Sequence, residues 1–240
     1  MDSLAVLRQA TSELCAELEP LVFSEPVTHV YNPLVYARAP HDQYLKRYAT
    51  STKQVLYLGM NPGPYGMAQT GVPFGEVSLV RDWLGIEAAV AKPEAEHPKR
   101  PIAGFACTRS EVSGARLWGS LKERYQKPQR FFEHAFIANY CPLVFMEDTG
   151  RNRTPDKLPR PERERLFAAC DRYLRCMVTT LKPKFVIGVG KFAEDRALEA
   201  LAGLSVQVST IPHPSPANPA ANRGWLPMVD AALRPLGLKF

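Results

Sequence analysis

The sequence predicts a three-layer α/β/α fold around a central four-stranded parallel sheet, in one domain over residues 1–240, and three observations support it. Four short runs, Val55–Gly59, Ala135–Ala138, Phe185–Val189 and Val206–Ile211, are rich in apolar residues, and three of them are unbroken, as in strands buried on both faces. Segments with helical spacing lie between them, and strands alternating with helices build a parallel sheet covered on both sides. A composition of 45% hydrophobic and 22% charged residues over 240 positions suits one α/β core.

The elements follow in order. Leu4, Leu7, Leu14 and Leu18 share a helical face, so residues 1–24 form a helical amino-terminal extension. Residues 26–50 carry Pro26, Pro33 and Pro40 and read as irregular wrapping. After the strand at 55–59, Val77, Val80 and Leu84 mark a helix over 76–84. Ser113 reads as the cap of a helix over 113–125, with Leu117, Leu121 and Tyr125 turned inward. A long helix over 161–181 has proline in its first turn, apolar residues at three- and four-residue spacing, and Pro183 as its stop. Helices over 191–202 and 226–236 complete the set, and 91–104 and 149–161 read as surface loops.

Composition excludes several classes. No apolar run approaches the ~18–20 residues of a membrane span, and Met1-Asp2-Ser3 opens no signal-peptide pattern, so a soluble intracellular chain without membrane contact is expected. The five cysteines contain no Cys-x-x-Cys spacing, which argues for reduced structural thiols and no metal. Net charge is +6, and residues 99–130 hold Lys99, Arg100, Arg109, Arg116, Lys122, Arg124, Lys127 and Arg130 against Glu111 and Glu123. Such an excess suits either a polyanionic partner, nucleic acid first, or a solvated basic helix face. The 22 prolines gather in motifs such as Asn61-Pro62-Gly63-Pro64 and His213-Pro214-Ser215-Pro216, which read as rigid loops.

In an open α/β sheet the chemistry gathers at the carboxyl ends of the strands. Three strands here empty into Met60–Pro64, into Asn139-Tyr140-Cys141-Pro142, and into His213–Pro216, which would place all three exits in one cleft. The first exit lacks the Gly-x4-Gly-Lys-Ser/Thr of a phosphate loop, and Gly188-Val189-Gly190 lacks the third glycine of a dinucleotide fingerprint. A stiff, nearly uncharged loop with amides, a carboxamide and an aromatic ring suits a flat, neutral, hydrogen-bonding ligand such as a nucleobase. Asn139 both donates and accepts, matching the N3–H and O4 edge of uracil, although turn chemistry is its alternative reading. His213, between two prolines, is either a structural imidazole, a metal ligand without partners in sequence, or a donor to a developing anion. Trp83, Trp118 and Trp225 read as packing residues.

Residues 59–76 and 213–225, with Ser110–Arg116 and Asn139-x-Cys141-Pro142-Leu143, resemble the single-strand-selective monofunctional uracil-DNA glycosylases, over roughly residues 25–238. The resemblance implies hydrolysis of the N-glycosidic bond of deoxyuridine in single-stranded and duplex DNA, opening base-excision repair, by a cofactor-free enzyme expected to be a monomer. It implies that Asn61 orients the attacking water and His213 stabilises charge on uracil O2. Phe74 would stack on the flipped base, Asn139 would read its edge, and the Met60 backbone would contact it. Gly63, with Met67 nearby, would leave room at C5 for substituents such as 5-hydroxymethyl. Arg151, Arg153, Lys157 and Arg160, in the segment 149–163, would contact DNA, as would Ser215, Pro216, Ala217, Asn218 and Arg223.

Two positions depart from that family, which commonly carries arginine at Ala217 and glutamine at Ala220. A methyl cannot fill the gap left by a flipped base as a guanidinium can, so weaker activity on base-paired than on single-stranded uracil is expected, with Arg223 as a nearby substitute. Two rival functions are a relative narrowed to hypoxanthine or xanthine and a catalytically silent nucleic-acid-binding module. A metal-dependent phosphate-ester hydrolase lacks its carboxylate cluster. The compartment expected is one that contains DNA, bacterial cytoplasm or nucleus.

Overall fold

The computed structural model describes residues 2–240 and, at Pro219 and Ala220, the backbone alone. Helix α1 (Ser3–Leu18) opens on Asp2, whose carboxylate accepts the Leu4 amide, and buries Leu7, Leu14 and Leu18. The stretch expected to be irregular is instead ordered as strand β1 (Val27–Tyr31) and helices α2 (Pro33–Tyr36) and α3 (Arg38–Tyr48). Two of its three prolines start helices where they were expected to prevent them. Pro33 fills the first position of α2, behind the capping carboxamide of Asn32, and Pro40 falls in the first turn of α3, where no amide donor is required.

Strand β2 (Val55–Gly59) leads through a loop to the short helices α4 (Met67–Thr70) and α5 (Val77–Asp82). Glu76 caps α5 by accepting the Leu79 amide. Helix α6 (Val112–Tyr125) begins one residue earlier than expected, so Glu111 and not Ser113 holds the cap position. Helix α7 (Pro128–Phe132), β3 (Ala135–Asn139), β4 (Val144–Glu147) and β5 (Asn152–Arg153) come next. The chain closes with α8 (Arg160–Leu181), β6 (Phe185–Val189), α9 (Lys191–Ala200), β7 (Gln207–Ile211) and α10 (Pro219–Leu233). Gly224 (φ 149°) breaks α10 into two segments.

The four strands expected from the apolar runs form one parallel sheet in the order β3-β2-β6-β7. Leu58 registers with Gly188, and a side chain at Gly188 would lie 2.4 Å from the Glu194 amide, so α9 presses on that face. Tyr57, which points the other way, meets Phe131 of α7 and Phe240 at the carboxyl end, and Phe240 in turn meets Trp225. Helices therefore cover both faces, as expected, in one α/β domain. A second, antiparallel sheet in the order β1-β4-β5 was not expected. All three tryptophans are buried, and the five cysteines are free thiols.

Candidate active site

Three strand ends converge on a cavity of about 360 Å³ lined by Met60, Asn61, Gly63, Pro64, Met67, Phe74, Glu111, Ser113, Asn139, Asn152, Thr154, His213 and Ser215. Asn139 is the last residue of β3 and registers directly with Gly59, the last residue of β2. Met60 and Asn61 follow at once, and His213 stands two residues beyond the end of β7. The topology thus brings the parts of three distant sequence segments to the same, carboxyl end of the sheet.

Gly59 must be glycine. A Cβ there would lie 2.3 Å from Asn139 Oδ1 and 2.6 Å from the Phe74 ring, so the Asn139 amide and the Phe74 ring pack directly on its backbone. Phe74 itself has φ 54°, a left-handed conformation costly for an aromatic residue, and α6 holds it there. A Cβ at Gly114 would sit 2.0 Å from the Phe74 carbonyl oxygen, which explains the glycine inside the Ser110–Arg116 motif. The ring centroids of Phe74 and His213 are 6.2 Å apart.

The two carboxamides differ in what remains free. Asn61 Nδ2 donates to the Leu143 carbonyl at 3.2 Å, which leaves its Oδ1 as an acceptor. Leu143 leads directly into β4, so the second sheet anchors this side chain. Asn139 is buried; its Nδ2 points at the Met67 sulfur at 3.3 Å, and its Oδ1 has no hydrogen-bond partner among the described residues. An unsatisfied buried acceptor costs free energy unless a ligand completes it. Asn152 Oδ1, also in the wall, is likewise unpaired, and its Nδ2 reaches the Pro62 carbonyl at 3.4 Å.

His213 is neutral. Burial lowers its pKa to about 4, and its Nδ1 accepts the Ser215 amide at 3.0 Å, so the single ring proton resides on Nε2. The proline-rich loop around it is tied down by Trp225 Nε1 donating to the Pro212 carbonyl and by Arg116 donating to Pro214 and Asn222. Gly190 (φ +91°) backs the imidazole, and a Cβ there would approach His213 Cβ to 3.2 Å.

Glu111, Ser113, Pro64, Asn152 and Thr154 are cavity residues that sequence reasoning missed. Glu111 carried a signal only inside the Ser110–Arg116 motif. Its carboxyl lies where a side chain on Gly63 would go, 2.2 Å from that Cβ position. Burial raises its pKa, while the backbone N–H groups of Tyr65 and Ser113 act in the opposite sense.

The DNA-contact residues expected from sequence separate into two groups. Ser215 enters the cavity wall, and its hydroxyl accepts the Ala217 amide at 3.1 Å. Pro216, Ala217 and Arg223 are exposed outside it, and Asn218 reaches back to the His213 carbonyl. The sequence departure at Ala220 lies outside the described side chains. In the other group, Arg153 pairs with Glu147, Lys157 with Asp156 and Arg160 with Glu164, so three of the four cations are already neutralised locally. Arg151 is exposed and pairs with no carboxylate among the described residues. The basic stretch 99–130 is no single face either, since Arg124 pairs with Asp230 and Arg116 braces the His213 loop. Among the described residues, no group of three or more His, Cys, Asp and Glu could hold a metal ion, and no helix is long and apolar enough to cross a membrane.

Residues 45–234 match the family described as the uracil DNA glycosylase superfamily. The single-strand selective monofunctional uracil-DNA glycosylase of Rattus norvegicus is 54% identical over 94% of this chain and 82% of its own length. Its Mus musculus counterpart is 53% identical over 94% of this chain and 81% of its own. The crystal structure of wild-type Pedobacter heparinus SMUG2 superposes with a TM-score of 0.69 over 99% of each chain at 16% identity, a likeness of fold.

Proposed function

The chain belongs to the uracil-DNA glycosylase superfamily, with the single-strand selective monofunctional enzymes, and on that premise we propose that its cavity takes a flipped deoxyuridine and releases uracil by hydrolysis. One observation carries this reading: Asn61, Phe74, Asn139 and His213 line a single cavity whose unfilled hydrogen-bonding groups match uracil. Asn139 Oδ1 awaits a donor, which N3–H supplies, and Asn139 Nδ2 is beside it for O4. Phe74 offers a ring face for stacking.

Chemistry then follows from charge. As the C1′–N1 bond breaks, its electron pair leaves with the base and spreads onto O2, while C1′ becomes oxocarbenium-like. The His213 Nε2–H donates to O2, in a site that holds the imidazole neutral and so demands no proton transfer from it. Asn61 Oδ1 holds a water against C1′. Its hydroxyl completes the abasic sugar, and its proton goes with the released uracil. A carboxamide suffices here because so electron-poor a carbon needs an oriented water more than a strong base. Among the described residues no lysine lines the cavity, and the buried Lys53, its pKa lowered to about 8, precedes β2 at the far end of the strand and donates to Ser51 and to the Phe132 carbonyl.

Substrate range follows from the wall around the base. With His213 at O2 and Asn139 at N3 and O4, Met67, in contact with Asn139, comes next around the ring, followed by Gly63 and the Glu111 carboxyl. That side faces C5. The absence of a side chain at Gly63 lets the Glu111 carboxyl reach this wall as an acceptor for a 5-hydroxymethyl group, and the unbranched thioether of Met67 can shift to admit a substituent. The reading therefore extends to 5-substituted uracils, in single strands and more weakly in duplexes, with the enzyme acting as a monomer in a compartment that holds DNA.

Single-turnover cleavage of oligonucleotides carrying uracil, 5-hydroxymethyluracil, hypoxanthine or xanthine, in both strand contexts, tests this. Abasic sites are expected from the two uracils and a loss of most activity in Asn61→Ala. Release confined to purines, or an unimpaired Asn61→Ala enzyme, would overturn the assignment.

A further inference from the structure

We infer that Arg109 and Arg100, gathered around Tyr65 at the rim of the cavity, form a phosphate-binding clamp for the DNA strand beside the flipped nucleotide. The Arg109 guanidinium lies 4.3 Å from the Tyr65 ring centroid and that of Arg100 lies 5.4 Å from it, with Arg100 Nη1 donating to the Tyr65 hydroxyl at 2.7 Å. Neither arginine pairs with a carboxylate among the described residues, unlike Arg153, Lys157 and Arg160. Two unneutralised guanidiniums around one ring repel each other, and an anion between or beside them relieves that repulsion.

Chain continuity places the clamp. Tyr65 follows Pro64 and Arg109 precedes Glu111 by two residues, and both Pro64 and Glu111 line the cavity. On its other side Arg100 donates through Nε to the Gly150 carbonyl at 2.8 Å, which ties the clamp to the loop that leads into Asn152 and Thr154 of the same wall. The ring fixes the Arg109 fork in place, so less side-chain entropy is lost on binding than at a free surface lysine. Arg109 is exposed, as a group that meets a strand outside the pocket must be.

This inference rests on the glycosylase reading, and its test separates the two. Release of uracil by the unaltered chain from a single-stranded oligonucleotide is measured first; no release sinks the glycosylase reading itself. Affinity for the same strand, bearing a hydrolysis-resistant 2′-fluoro-deoxyuridine, is then measured against salt concentration. Each phosphate contact on a single strand contributes about −0.7 to the slope of log K against log salt. Arg109→Gln is expected to make that slope shallower by about 0.7, Arg109→Lys to keep it, and Lys46→Gln, an equal loss of charge on the remote helix α3, to leave it unchanged. An unaltered slope in Arg109→Gln, or an equal change in Lys46→Gln, would overturn the clamp while leaving the glycosylase reading standing.

Discussion

His213 shows how one residue's state is set by its surroundings. An imidazole in water is half protonated near pH 6.5, yet burial behind Gly190 and the two flanking prolines brings this one to about 4. The Ser215 amide then selects the tautomer, leaving a single Nε2–H donor at neutral pH. Removing a donor aimed at developing negative charge costs about 2.7–4 kcal/mol in comparable sites, or ~10²–10³ in rate. His213→Ala is therefore expected to slow single-turnover uracil release by that factor, and a rate within threefold of the unaltered enzyme would show that the imidazole does not serve O2. Asn139 makes the complementary point. A lone asparagine at a strand's end reads first as turn chemistry, and its unpaired Oδ1 inside a cavity is what favours a binding role.

At the scale of elements, the site is a set of loops held by rigid neighbours. The small antiparallel sheet earns its place functionally: β4 follows Leu143, which receives Asn61, and β5 carries Asn152 into the wall. The loop from Ser215 to Asn218 leads away from the cavity, and on the proposed reading its exposed Ala217 would offer only a methyl to the gap left by a flipped base. A duplex closes over such a gap more readily than a single strand, which has little stacking to restore. Faster release from single-stranded than from duplex uracil is expected, with Ala217→Arg narrowing the ratio. Equal rates on matched substrates in the unaltered enzyme would refute the role given to this loop.

For the whole molecule, two neutral histidines, the buried His41 and the half-buried His213, couple folding to pH. His41 and His213 both titrate near 4 in the folded chain against ~6.5 when unfolded. Between those values the unfolded chain binds more protons, so stability is complete above about 6.5, falls as the pH drops toward 4, and changes no further from these groups below it. Each contributes at most roughly 3 kcal/mol over that window. Glu111, raised by burial, works in the opposite sense. Urea unfolding is expected to show a marked loss of stability from pH 7 to pH 4.5, reduced in His41→Gln. A stability that does not change over this range would contradict the burial of both imidazoles.

Continuous apolar runs such as Val55–Gly59 revealed the parallel sheet because strands buried on both faces have no polar side to disguise them. The rigid motifs at their ends identified Asn61, Asn139 and His213 for the same local reason, since a proline-bounded loop after a strand is written in adjacent residues. Strand β1 escaped notice because Val27-Thr28-His29-Val30-Tyr31 is mixed in polarity and its partner, β4, is far along the chain. Likewise Glu111 enters the pocket, and Arg153 and Arg160 are quenched by Glu147 and Glu164, through contacts that side-chain chemistry permits but does not specify. The sequence alone determined which segments build the parallel sheet and which residues follow their carboxyl ends. Only the tertiary structure decided which charges remain unpaired and which polar atoms are left unfilled, because both depend on neighbours brought together by folding.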